Sequence, residues 1–223
     1  MSAASLNPDW QENELFFDFS KALRVVPIDD RRKGSASRYP EILSNCPNIS
    51  NLSHTVDFVV EWKDEIWFIE VKDPSATQIP SQHREAQLSS FQVKLLSDSL
   101  FQEELYPKFH DSLIYWVMDE RLSQKKLFYF ALLEIPTLDV QLLSTLSDRL
   151  KAIGFLKGPP RGWSNPFEAR VFNIDHWNRF LKDRCPVQRI SSASDDGLMG
   201  NDARRVPGRS THLSNSGQSP ARS

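Results

Sequence analysis

Apolar and polar residues alternate along residues 54–73, on either side of a polar pair at 63–64. This alternation predicts two β-strands joined by a tight turn, because successive side chains of a strand point to opposite faces. A turn centred on the polar pair places Asp57 directly across from Glu70, on the same face as Lys72. The opposite face is then apolar and consists of Phe58, Val60, Trp62, Trp67, Ile69 and Val71.

The other apolar patterns predict a series of helices and strands. A first helix, capped by Asn7 or Asp9, is expected to run to about Leu23, and a short strand follows at 24–28. Further elements are a helix at 81–100, strands at 112–118 and 127–134, a helix at 138–153, a strand at 169–174 and a last helix to about 182. This order indicates an α/β fold with a mixed β-sheet flanked by helices.

The carboxylates of Asp57 and Glu70 would repel each other on a partly buried face, so a compensating cation is expected. Carboxylate oxygens suit a hard ion such as Mg²⁺ or Mn²⁺, which also contacts substrate phosphates. Lys72, two residues beyond Glu70 on the same face, could hold or deprotonate a water. Such a site would hydrolyse phosphodiesters.

Asp57 and the segment Glu70-Val71-Lys72 resemble the signature of the PD-(D/E)XK, or restriction-endonuclease-like, nuclease superfamily. The resemblance implies a core of the αβββαβ type and an enzyme that cleaves nucleic acid, most often DNA. It further implies that Asp57, Glu70 and the Val71 carbonyl bind the metal while Lys72 orients the attacking water. Dimers and targeting partners are common in that family. The chain departs from the signature at Val56, where the family has Pro.

Two alternatives compete with this interpretation. The charged face could be a solvated edge with ordinary surface ion pairs, although Val59, Ile66 and Phe68 on the same face argue against simple exposure. A nuclease-like fold could also be catalytically inactive and serve as a nucleic-acid or protein binding module.

Two further residues are candidates for the site. Glu12 lies within the apolar arc of the expected first helix, where it could be another metal ligand or simply stabilise the helix start. Gln92 lies inside the apolar arc of the helix at 81–100. It could support a ligand carboxylate or satisfy a loop carbonyl.

Composition divides the chain of 223 residues at about residue 183. The segment 184–223 has eight Ser and six Arg but no aromatic residue, so a disordered tail is expected after one domain at 1–183. The tail has three Asp and no Lys or Glu, which leaves the domain with a net charge of about −5. A tight nonspecific nucleic-acid binder is therefore not favoured.

Local basic contacts remain possible in one loop of the domain. It contains no acid and four cations, which are Arg31, Arg32, Lys33 and Arg38. The loop is either a nucleic-acid contact or simply solvated. Cys46 and Cys185 are the only cysteines and form no zinc-like pattern, which suggests the cytoplasm. The apolar runs are too short to cross a bilayer, so no membrane association is expected.

Overall fold

The strands form two sheets in the computed structural model, which describes residues 7, 10–28, 54–119, 125–136, 138–159, 161 and 167–190. The larger sheet has the strand order β3 (Arg24–Pro27), β4 (Phe58–Glu61), β5 (Glu65–Lys72), β6 (Lys126–Leu133) and β7 (Glu168–Phe172). Strands β3, β4 and β5 are antiparallel, whereas β5, β6 and β7 are parallel. The carboxyl ends of the three parallel strands therefore meet at one edge of the sheet.

The smaller sheet joins the two ends of the described chain. Its strand order is β1 (Gln11–Glu12), β2 (Leu15–Phe17) and β8 (Val187–Arg189), and both pairings are antiparallel. The amide of Ile190 also donates to the Glu14 carbonyl, which extends the contact between β8 and the β1–β2 turn.

The described residues contain four α-helices beside the sheets: α1 (Ser81–Leu96), α2 (Tyr106–Asp119), α3 (Val140–Lys151) and α4 (Ile174–Leu181). A π-helical segment, Leu100–Leu105, leads directly into α2, and a 3₁₀ turn spans Gly154–Lys157. The side chains of Asp139 and Asn173 cap α3 and α4 by accepting backbone N–H groups. None of the helices in the described part of the chain combines the length and apolar character that crossing a membrane requires.

Both faces of the larger sheet are buried. One face contributes Val59, Ile66 and Phe68 to a core that also contains Phe109 and Tyr129. The opposite face forms a second core with Phe17 and Trp177, and its hairpin residues are Phe58, Val60, Trp62, Trp67, Ile69 and Val71. This division confirms the predicted alternation along β4 and β5. The fold is a mixed α/β arrangement, as the sequence pattern indicated.

The predicted first helix is wrong, because residues 11–17 form the β1–β2 hairpin. Asn13 has a φ of 54°, a left-handed conformation that Asn tolerates in tight turns. Leu15 and Phe17 are fully buried in the second core, whereas Leu23, which a helical arc would bury, is 68% exposed. The segment therefore follows a strand pattern, and the first helix of the expected αβββαβ order is replaced by a hairpin.

The predicted strand at 112–118 is also wrong, since these residues belong to α2. Phe109, Ser112, Tyr115 and Trp116 are buried at three- and four-residue spacing, which is the period of a helix. At the other end, β8 lies beyond the domain boundary that was expected at residue 183. The compact unit runs to Ser191.

Candidate functional site

A cavity of about 340 Å³ opens where β5 ends. Its lining contains acidic, basic and apolar side chains: Glu12, Asn13, Asp57, Glu70, Val71, Lys72, Asp73, Pro74, Phe91 and Lys108. The cavity thus brings together four elements, because Glu12 comes from β1, Glu70 to Lys72 from β5, Phe91 from α1 and Lys108 from α2.

The pairing of β4 and β5 positions the two predicted carboxylates. Phe58 pairs with Ile69, as the sequence predicts, and Asp57 directly precedes this pair. One oxygen of Asp57, Oδ2, accepts a 2.6 Å hydrogen bond from the Val71 amide. Glu70 is fully buried and Asp57 is 8% exposed. The register of β4 and β5 therefore holds both carboxylates below the surface.

Two lysines approach the same oxygen of Glu70. The distance from Oε1 is 2.8 Å to Nζ of Lys108 and 3.3 Å to Nζ of Lys72. The second oxygen, Oε2, is buried and has no hydrogen-bond partner among the described residues. A buried charged oxygen without a partner is costly in a protein interior, so this atom is suited to contact a cation.

A chain of ion pairs continues from Lys72 toward the π-helical segment. Nζ of Lys72 lies 3.1 Å from Oε2 of Glu104, and Oε1 of Glu104 lies 2.7 Å from Nζ of Lys94. Lys72 thus contacts two carboxylates and is 23% exposed. Its ammonium group is held at the edge of the cavity between Glu70 and Glu104.

The local charges change the proton affinities of the site. Burial raises the pKa of Asp57 well above its usual range, and the charges of Glu70 and Glu12 raise it further. Burial also raises the pKa of Glu70, although the ammonium groups of Lys108 and Lys72 oppose this effect. Behind the site, burial and then the two carboxylates raise the pKa of Tyr129. Burial is thus the main cause of the raised pKa at all three groups, and the carboxylates add to it at Asp57 and Tyr129.

A second ion network fixes the β1–β2 hairpin next to the site. Arg189 donates to Glu14 at 3.0 Å and to Asp73 at 2.7 Å, so β8 links the hairpin to the end of β5. The Glu14 carboxylate also accepts from the Thr77 hydroxyl and the Gln78 amide. Glu12 belongs to this anchored hairpin, which explains how it reaches the cavity from a strand.

The structure brings most of the sequence-predicted residues together. Glu12, Asp57, Glu70, Val71 and Lys72 all line the cavity, although Glu12 lies on a strand and not on the expected helix. Gln92 is half-buried on α1, where its neighbour Phe91 lines the cavity. The predicted basic loop lies outside the described residues: Arg31, Arg32, Lys33 and Arg38.

Sequence reasoning missed Lys108, Glu104 and Arg189. The first two lie in a segment to which the sequence assigned no helix, and Arg189 was placed in the tail. One signal was available, since Glu104 and Lys108 have the four-residue spacing of an acid and a base on one helical face.

The described residues contain no group of three or more His, Cys, Asp or Glu side chains arranged to hold a metal ion. A metal at this site would use carboxylates that line the cavity together with backbone oxygen or water. Mg²⁺ is often bound in this way, through one or two carboxylates with several retained waters. The donor set, with the orphaned Oε2 of Glu70, fits such an ion.

A second cavity of about 260 Å³ lies along β7, between α3 and α4. Cationic and aromatic side chains such as Arg170, His176 and Phe180 line it. None of its lining residues has a buried side-chain polar atom without a partner. The cavity at the end of β5 is therefore the better candidate for a functional site.

Comparisons of the chain with protein-family models, with curated proteins and with solved structures gave no match.

Proposed function

We propose that this protein is a metal-dependent nuclease that hydrolyses phosphodiester bonds, with DNA as the substrate that the resemblance of its motif favours. The observation that supports this most directly is the buried Glu70, whose Oε2 has no partner among the described residues, beside Asp57 in an open cavity. A buried carboxylate pair destabilises a fold, and the two lysines contact only one of the oxygens of Glu70, so the presence of the pair in a cavity favours a role in binding a cation.

Asp57, Glu70 and the Val71 carbonyl would hold Mg²⁺ or Mn²⁺, and Glu12 is a further candidate. When bound, such an ion polarises the phosphoryl oxygen, lowers the pKa of a water and neutralises charge on the leaving oxygen. The hydrogen bond from the Val71 amide fixes Asp57 relative to β5, so the two carboxylates are oriented before any ligand enters.

Lys72 would orient the attacking water in this proposal. Its Nζ is held by Glu70 and Glu104, so the ammonium group is directed along the edge of the cavity. A donor fixed in this way can hold a water against the scissile phosphate and can stabilise the negative charge that develops there.

The order of elements supports a restriction-endonuclease-like core as part of the same proposal. Among the described residues from β3 to β6, three antiparallel strands are followed by a helical layer and a parallel strand. This order agrees with the βββαβ portion of the αβββαβ core that the motif implies. The substrate would be nucleic acid. Because the domain is acidic, a second copy of the chain or a targeting protein would supply additional affinity for this substrate.

A second candidate function is a nuclease-like binding module without catalysis. The observation that favours it is the contact of Lys108 with Glu70, because two lysines already compensate the buried carboxylate without a metal. In that case the cavity would recognise a nucleic acid or a partner protein through its existing charges.

Calorimetry with Mn²⁺ and cleavage assays distinguish the two functions. The nuclease proposal predicts measurable Mn²⁺ binding that Glu70→Gln abolishes, and cleavage of plasmid, single-stranded DNA or RNA. Lys72→Met should reduce cleavage by about 10²-fold or more while Mn²⁺ binding persists. Lys63→Met, on the exposed turn of the same hairpin, is the matched control and should cleave like the wild type. Equal cleavage by all these proteins would contradict the proposed residues, and no Mn²⁺ binding would favour the binding module.

A further inference from the structure

We infer that Lys108 is a built-in counter-ion of Glu70 that competes with the divalent metal and thereby sets the metal affinity of the site. This inference rests on the proposed function, since it concerns the same carboxylate pair. It adds a residue that the sequence motif does not contain.

The contact distances identify Lys108 as the closer of the two cations. Its Nζ is 2.8 Å from Oε1 of Glu70, compared with 3.3 Å for Lys72. Lys72 is also shared with Glu104, at 3.1 Å. Lys108 therefore provides the stronger compensation of the Glu70 charge.

Burial makes this contact important for metal binding. The Glu70 side chain is fully buried and that of Lys108 is only 17% exposed, so water screens their attraction weakly. A divalent ion bound to Glu70 would place two positive charges close to the ammonium group of Lys108. The two cations repel each other, so binding of one disfavours the position of the other.

The position of Lys108 allows an alternative contact once a metal binds. The residue lies in the first turn of α2 and lines the cavity. Its ammonium group is carried by a flexible four-carbon side chain. Displacement from Glu70 would move its Nζ within the cavity, where a substrate phosphate would be bound. Lys108 would then stabilise the metal-free protein and contact the phosphate in the loaded protein.

Mn²⁺ calorimetry on full-length variants tests the competition. Lys108→Met should bind Mn²⁺ at least about tenfold more tightly than the wild type, because the competing charge is gone. Lys125→Met is the matched control: its 2.7 Å ion pair with Glu61 is of similar length but lies outside the cavity lining. This control should bind Mn²⁺ within about twofold of the wild type.

Thermal unfolding gives a readout that does not depend on cleavage. Removal of Lys108 should lower Tm in metal-free buffer, and saturating Mn²⁺ should raise Tm more in Lys108→Met than in the wild type. If the variant folds only with Mn²⁺, the inference is supported in its strongest form. Lys108→Arg keeps the competing charge and should bind Mn²⁺ no more tightly than the wild type.

The outcomes separate this inference from the proposed function. If the wild type binds Mn²⁺ and Lys108→Met binds it equally or more weakly, the competition is refuted and the metal site remains. Tighter binding by Lys108→Arg would refute it as well. If neither the wild type nor Lys108→Met binds Mn²⁺, both the metal site and the competition are refuted.

Discussion

The backbone amide of Val71 donates a 2.6 Å hydrogen bond to Oδ2 of Asp57, which ties the carboxylate to the neighbouring strand. The bond keeps Asp57 in a buried position beside Glu70, where burial and like charge both disfavour ionisation. The arrangement therefore opposes stability in the metal-free protein and is suited to a ligand of positive charge.

Asp57→Asn should raise the stability of the metal-free protein at neutral pH. The pKa of Asp57 is higher in the folded than in the unfolded state, so the folded state binds more protons between the two pKa values. Stability from this group is thus lost as pH rises through that window. The introduced amide keeps an acceptor for the Val71 N–H group, and we expect a gain of about 1 kcal/mol or more at pH 7.

Urea unfolding between pH 4 and pH 8 checks this prediction. The advantage of Asp57→Asn should shrink as the pH falls toward about 4, close to the unfolded pKa of Asp. Asp64→Asn, on the exposed turn of the same hairpin, is the control and should change stability by less than about 0.5 kcal/mol. A loss of stability at neutral pH would refute the electrostatic explanation.

Glu12→Gln should weaken Mn²⁺ binding by about three- to tenfold, because a negative charge that acts on Asp57 is removed. Calorimetry measures the effect, with Glu85→Gln on the exposed face of α1 as the control. Unchanged affinity would mean that Glu12 contributes neither a ligand nor a useful field.

Arg189→Met should lower the free energy of unfolding by about 2 kcal/mol, because the carboxylates of Glu14 and Asp73 would be left buried with one fewer partner. The control is Arg170→Met, whose 3.6 Å pair with Glu168 is about half exposed. We expect the control to change stability by less than about 0.5 kcal/mol in urea titrations. Similar effects of the two substitutions would contradict the role of the Arg189 network.

Truncation after residue 183 should be much more harmful than truncation after Ser191. The residues between these points include Arg184, which lies over the rings of Trp62 and Trp67, and Cys185, whose carbonyl accepts from Trp177. They also include the whole of β8.

Thermal unfolding of the two truncated proteins measures this difference. The shorter protein should lose about 10 °C or more in Tm, whereas the longer one should unfold like the full chain. Equal Tm values would restore the boundary that the sequence suggested.

Local patterns in the sequence predicted the hairpin with its register, since alternation and a short turn are enough to place Asp57 opposite Glu70. The same patterns failed for α2, because Ile114, Tyr115 and Val117 favour strands while the surrounding core selects a helix. A helix was expected at β1 and β2 from an arc that was apolar only in part. The chain instead forms a hairpin, whose turn contains Asn13 in a left-handed conformation.

Local sequence patterns could predict the hairpin residues of the site but not the residue that comes from α2. Asp57, Glu70, Val71 and Lys72 belong to one hairpin, so their mutual positions follow from local rules. Lys108 reaches the same cavity from a helix whose packing depends on the rest of the domain. Contacts of that kind follow from the tertiary fold and not from spacing along the chain.

The pairing of β2 with β8 also orders events during synthesis. Strands near the amino terminus cannot complete their sheet until residues 187–189 have left the ribosome. Until then, Glu14 in the β1–β2 turn and Asp73 just after β5 lack the guanidinium of Arg189, and one edge of β2 stays open. A nascent chain would therefore complete the charge network of Glu14 and Asp73 only after Arg189 has emerged, later than the β4–β5 hairpin that holds Asp57 and Glu70.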